Sequence, residues 1–110
     1  MLTITQRQID ALKAARVSAF KKRMIALARE KLDCVAGVDR PNLETAYDYV
    51  KAEADRLAVF SERGVASLFL LYLMAGPRIL QDPRLTACLS SDDPEPVRID
   101  EFMECVRHAS

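Results

Sequence analysis

Residues 65–75 read VASLFLLYLMA, eleven consecutive positions without a charge, and no other stretch restricts the possible folds so strongly. The run is bounded by Ser61-Glu62-Arg63-Gly64 on one side and Gly76-Pro77 on the other. Two Ala, four Leu and one Met make it a helix of about three turns rather than a strand. A helix that is apolar all round must be surrounded by neighbours, which makes 65–75 the expected central helix of a small bundle. It is too short for a bilayer, which takes about 20 apolar residues.

The remaining composition fits that picture. At 110 residues, half of them hydrophobic, the chain is expected to form a single helical domain over 1–110. Gly and Pro are scarce, β-branched runs are absent, and Ala, Leu, Arg, Glu and Lys dominate, so the expected class is all-α. A capping-box spacing at Thr3 and Gln6 opens a first helix reaching about residue 32. Its apolar positions, Ile9, Leu12, Val17, Phe20, Met24, Leu27 and Leu32, recur at helical spacing. Gly37 and Pro41 mark a loop, and a second helix is expected over about 42–59, with Phe60 closing its end. Tyr47 and Tyr49 point to different sides of it, one towards the core and the other a candidate contact aromatic. Ser61 is the expected cap of the central helix, and Gly76-Pro77 its stop. Asp82-Pro83 opens a short helix over 83–89. A polar loop over 90–96 precedes a last helix over about 99–108, packing Ile99, Phe102, Met103 and Val106. The expected architecture is thus four to five helices around 65–75.

Charge is balanced overall but not along the chain. Residues 1–32 hold eight Lys/Arg against Asp10 and Glu30, a net of +6, and the rest carries −6. Zero net charge gives no global case for nucleic acid or an anionic membrane. Segregation of this kind means that the two parts complement each other in the fold or in a homodimer, or that one part meets a charged partner. An amphipathic basic helix is also a membrane-surface pattern, but a solvated outer face accounts for it more simply. Cys34, Cys88 and Cys105 are irregularly spaced, odd in number and accompanied by no secretion-signal pattern, so reduced thiols and a cytoplasmic location are expected.

Chemistry-bearing constellations are few. His108 is the single histidine, so a histidine-based metal cluster is not expected, nor a cofactor. Cys105 and His108 are three apart on the last helix, a spacing that lets them touch but that coincidence explains. Asp82 and Asp92-Asp93 read as loop carboxylates that cap helices or face water. Lys21-Lys22-Arg23 is a basic cluster, and 60–65 has the outline of a helix-turn-helix turn. The helix that follows it, however, is the most apolar of all, whereas a recognition helix exposes polar side chains. The expected protein is not an enzyme.

One family pattern is present. Thr5-Gln6-Arg7-Gln8 precedes a long helix with a central Phe20. Ser61-Glu62-Arg63, the Leu/Tyr-rich stretch 68–74, Gly76 and Asp82-Pro83-Arg84-Leu85 then follow in order. This resembles small helical accessory proteins encoded in bacterial type VI secretion clusters, beside VgrG or PAAR spike genes, adaptors and toxins. The likeness covers about 5–32 and 57–89. The chain differs in carrying Ile79-Leu80-Gln81 and Thr86-Ala87-Cys88 where that family has an aromatic-Asp pair and a Pro-Trp. The resemblance implies a non-enzymatic accessory to effector loading, a co-chaperone or adaptor partner that binds an effector, its adaptor or the spike. The partner-binding residues it implies are Arg63, Arg78, Asp82 and Arg84. An immunity protein neutralising a cognate toxin is the alternative from the same gene neighbourhood, and a small nucleic-acid-binding regulator is a further one.

Overall fold

The computed structural model describes residues 5–35 and 37–109. The chain is all-α and a single domain is formed by α1 (Gln6–Lys31), α2 (Arg40–Arg56), α3 (Glu62–Ala75), α4 (Arg78–Gln81), α5 (Pro83–Thr86) and α6 (Glu95–Ala109). Two 3-10 turns, Asp33–Val35 and Ala87–Leu89, complete the described elements. Four helices are long, while α4 and α5 are single turns, and α5 with the 3-10 turn after it occupies the short helix expected over 83–89.

Helix α3 occupies the middle, touching α1, α2, α4 and α6. Gly64, Val65, Leu68 and Phe69 are buried along its first half. The second half is only partly covered. Leu70, Leu71 and Leu73 are half-buried, and Met74 is 57% exposed. The central position is therefore real, but neighbours do not enclose the helix along its whole length. The core around it joins Met24, Ile25 and Ala28 of α1 to Leu43, Tyr47, Val50 and Ala54 of α2 and Ile99, Phe102 and Val106 of α6. Phe20, Tyr47 and Phe69 meet edge-to-face in sequence, with centroids 6.4 and 5.4 Å apart. Tyr49, the candidate contact aromatic, instead packs half-buried beside Tyr72 at 5.5 Å.

Local chemistry explains most boundaries. The Thr3–Gln6 box falls partly outside the described residues. The box that forms is Thr5–Gln8, in which the Thr5 hydroxyl accepts the Gln8 N–H and the Gln8 side chain accepts the Thr5 N–H. Ser61 caps α3 by accepting the Gly64 N–H at 2.9 Å. Gly76 ends α3 at φ 94°, a conformation that side chains disfavour. Asp82 caps α5 through the Arg84 N–H.

Two ends differ from expectation. Helix α2 stops at Arg56 rather than 59, because Ala58 adopts φ 59°. The Ala58 N–H then reaches the Asp55 carbonyl and the Val59 N–H reaches that of Ala54. These are the paired bonds of a Schellman stop, with alanine where glycine is usual. Helix α6 begins at Glu95 rather than 99, because Pro96 sits in its first turn, where no N–H is needed.

The first turn of α6 clamps the α2–α3 junction. The Glu95 carboxylate accepts the Phe60 N–H at 2.5 Å, the Ser61 N–H at 3.0 Å and the Ser61 hydroxyl. One turn on, the Arg98 guanidinium donates to the carbonyls of Leu57, Ala58 and Leu89 at 2.9–3.0 Å. The approach is close enough that a Cβ on Gly64 would lie 2.7 Å from Val59 Cγ1 and 3.2 Å from Glu95 Cδ.

Burial alone would raise the Glu95 pKa. The bonds from Ser61 and Phe60, with the Arg98 charge, outweigh it and hold the carboxyl below its ordinary 4.5. A lowered folded-state pKa contributes stability above the unfolded value that is lost as pH falls through the folded one. Glu95→Gln should therefore lower Tm at neutral pH and flatten the loss of Tm on acidification below 4.5, read by circular dichroism melts across pH. Ala58→Gly should stabilise the fold by about 1 kcal/mol, because it removes a left-handed alanine, measured by urea denaturation. Leu68→Asp, at a fully buried site, should abolish folding, whereas Leu71→Asp at its half-buried one should leave a folded, weakened protein; their far-ultraviolet spectra decide this.

Candidate interaction surfaces

The sequence-predicted site residues fall on two surfaces. Arg78, Asp82 and Arg84 surround one shallow depression with Ala75, Ile79, Leu85 and Val106. Arg63 lines a different one between α3 and α6, with Ser67, Asp100 and Met103. Asp82 is engaged locally: it caps α5 and its carboxylate takes the Arg84 guanidinium at 3.3 Å. That side-chain bond, the backbone bond and the nearby Arg84 and Arg78 charges overcome desolvation and lower its pKa. Arg84 is nevertheless 91% exposed, so its pairing leaves a cationic surface beside Arg78.

The largest departure from expectation concerns α1. At 26 residues it is about 39 Å long, and the helical spacing of its apolar positions implies contact with the central helix along its length. Only its second half does so, through Met24, Ile25 and Ala28. Leu12 is 67% exposed and Val17 53%. Five residues apart, these two lie about 140° apart around the helix, and no element of the bundle covers either of them. It extends from the bundle as an arm. The radius of gyration, 15.6 Å, exceeds the roughly 13 Å of a compact chain this long.

The basic residues of α1 are only partly matched by the acidic remainder. Lys21 meets Asp48 of α2 at 2.8 Å, and Arg16 and Arg23 approach Glu62 at 3.6 and 3.7 Å. Two members of the Lys21-Lys22-Arg23 cluster are thus already turned to carboxylates. The acidic residues of α2 are otherwise internally balanced, by Arg40–Glu44, Lys51–Asp55 and Arg56–Glu53 pairs. Arg7, Lys13, Lys22 and Arg29 have no carboxylate partner among the described residues.

At the root of the arm a cleft of about 360 Å³ opens between α1, α2 and α3. Arg16, Val17 and Phe20 form one wall, Tyr47 and Lys51 another, and Phe60, Glu62 and Val65 the third. Phe60 is 69% exposed beside it. Tyr47 is 2% exposed, yet its hydroxyl has no hydrogen-bond partner, the one such buried side-chain atom among the described residues. Burial, then the neighbouring carboxylates of Asp48, Glu62 and Asp55, raise its pKa, so the phenol stays protonated. The sequence held one signal of this cleft, an aromatic at the end of α2 with no core position to fill.

Two of the three cysteines meet. Cys88 and Cys105 stand sulfur against sulfur between the 87–89 turn and α6 with Cα atoms 7.5 Å apart, outside the roughly 4.4–6.8 Å span of a formed disulfide, so the labelling test below decides the expectation of reduced thiols. Cys34 is a free, exposed thiol. His108 faces Glu104 at 3.4 Å. No group of acidic, histidine and cysteine side chains capable of holding a metal occurs among the described residues. Among the described residues no helix is long and apolar enough to cross a membrane.

No family model, curated protein or solved structure matches the chain.

Thiol labelling checks the cysteine arrangement. Native protein prepared without reductant should take up maleimide at Cys34, and at Cys88 and Cys105 only after reduction, read by intact mass. Labelling of all three without reductant would show that the pair is not bonded.

Proposed function

We propose that this protein is a non-enzymatic helical interaction module whose docking element is the projecting half of α1 with the cleft at its root. One observation carries the reading. A helix that the bundle supports over only half its length leaves Leu12 and Val17 in water among basic residues without carboxylate partners. Apolar side chains interspersed with positive charge suit an acidic protein partner, which steering brings in and apolar burial retains. The cellular role we assign is that of an accessory to effector loading in type VI secretion, contacting an effector, its adaptor or the spike. Its support is the ordered likeness of Thr5-Gln6-Arg7-Gln8, Phe20, Ser61-Glu62-Arg63, Gly76 and Asp82-Pro83-Arg84-Leu85 to that family.

Two variants separate the arm from the Arg78–Arg84 surface. Lys13→Glu should weaken partner capture several-fold, more strongly at low salt, with Tm unchanged, because rim charges act on association and are screened. Arg84→Glu should also leave Tm unchanged, and weakens capture only if its surface shares the contact. The assay is affinity capture from bacterial cytoplasm with mass-spectrometric identification. A toxin recovered with a spike or adaptor protein supports the loading role, and a toxin alone supports the immunity alternative. Absence of every secretion component at all salt concentrations overturns the secretion role.

A further inference from the structure

The charge that the fold leaves unmatched on α1 has its complement elsewhere on the same chain. In the projecting half, Arg7 and Lys13 are exposed and have no carboxylate partner among the described residues. Segment 92–104 carries the opposite surplus, six acidic residues against Arg98. Glu95 and Arg98 are engaged by the α2–α3 junction. Asp92, Asp93, Asp100 and Glu101 are exposed and have no cationic partner among the described residues.

Exposed apolar side chains fall on the same two regions. Six large ones remain in water among the described residues, and four of them are Leu12, Val17, Phe60 and Val97. Leu12 and Val17 belong to the arm. Phe60 stands between the arm and α6, lining the cleft beside Val17 while its N–H is held by Glu95. Val97, in the same first turn of α6, shares an outer face with Asp100, Glu101 and Glu104, opposite the buried Ile99, Phe102 and Val106. Asp92 and Asp93 lie beside Ala58 at the end of α2.

The backbone turns these regions into a corner. The Arg16–Glu62 contact sets residue 16 level with the start of α3, so residues 6–15 run on past the α2–α3 junction by about 15 Å. They overhang the end of the bundle on which Phe60, Val97, Asp92 and Asp93 stand. Because α1 is one continuous helix, the arm cannot fold back onto the end beneath it. A second copy related by a two-fold axis can lay its arm there and receive the first arm in return, an isologous contact. Packing arm against arm would instead set like charges together, which is costly.

We propose that two copies of the chain pair as a two-fold dimer, the α1 arm of each lying across the bundle end of the other. Arg7 and Lys13 then meet Asp92, Asp93 and Glu101, while Leu12 and Val17 cover Phe60 and Val97. This rests on the reading of α1 as a docking element and names what occupies that element when no other protein does. A partner that takes the arm displaces the second copy.

Sedimentation equilibrium of the full chain tests the pairing. Monomer and dimer should exchange between about 1 µM and 1 mM, with the dimer weakening as salt rises. Each contact occurs twice, so Lys13→Glu should raise the dimer Kd about tenfold, and the double variant Asp92→Lys, Glu101→Lys should do the same. Leu12→Asp, at an exposed position, should weaken the dimer as well. The decisive sample is an equimolar mixture of the Lys13→Glu chain with the Asp92→Lys, Glu101→Lys chain. Both contacts of their heterodimer join opposite charges, so the mixture should dimerise as tightly as wild type although neither variant does so alone. A wild-type chain that stays monomeric up to about 1 mM at low salt overturns the proposal. So does a dimer that both variants leave unchanged, or a mixture no tighter than its components.

Partner capture separates this pairing from the docking role. If Lys13→Glu weakens native capture and the wild-type chain never dimerises, the docking role of α1 stands and the dimer falls. If the dimer responds as stated while capture is indifferent to Lys13→Glu, the dimer stands and the docking role falls.

Discussion

The geometry of this bundle depends on how the first turn of α6 holds the junction between α2 and α3. A helix end leaves carbonyls without partners, and a helix start leaves N–H groups without them. Here the two lie side by side, at residues 57–61, and two oppositely charged side chains one turn apart satisfy both. Arg98 takes the carbonyls and Glu95 the amides. Each charge also has the sign that its helix end favours, positive at the C-terminus of α2 and negative at the N-terminus of α3. The junction thereby fixes the direction in which α3 leaves α2. It also sets Phe60 and Glu62 beside the root of α1, so the clamp that closes the bundle also builds one wall of the cleft.

Much of the fold was legible because it is written in local chemistry. The charge-free run 65–75 located α3, Ser61 and Asp82 marked helix starts, and Gly76 marked a stop. Ile99, Phe102 and Val106 were placed in the core by spacing alone, and they are buried. What was not legible depends on contacts distant in sequence. The end of α2 carries no glycine. Ala58 holds its left-handed conformation where Arg98, forty residues away in sequence, donates to its carbonyl. Nor does spacing reveal that Cys88 and Cys105 meet, since their approach depends on the turn after α5 folding back onto α6.

Helix α1 was misjudged for a different reason. Its apolar residues recur at helical spacing, but the recurrence drifts around the helix, so the residues that continue the pattern cannot all face one neighbour. Periodicity identified the helix and overestimated what it covers. The candidate site was correspondingly only half visible. Arg78, Asp82 and Arg84 do converge, yet Asp82 is committed to capping α5. The cleft under α1 combines residues from three helices that no motif links. The charge asymmetry read from the sequence bears on this site: the acidic residues of α2 pair largely within α2, so beyond its own helix the basic surplus of α1 meets Asp48 and Glu62 among the described residues.

The central claim is that the first half of α1 is a free helical arm, and amide hydrogen exchange on the dilute full-length protein tests it most directly. An uncovered helical segment opens locally at little cost, whereas amides packed on a core open only with larger unfolding. The account predicts rapid exchange over residues 7–17 and strong protection over 20–31, with the arm gaining protection only when a partner is added. Uniform, strong protection along the whole of α1 in the dilute protein alone would contradict it, because the arm would then already be covered.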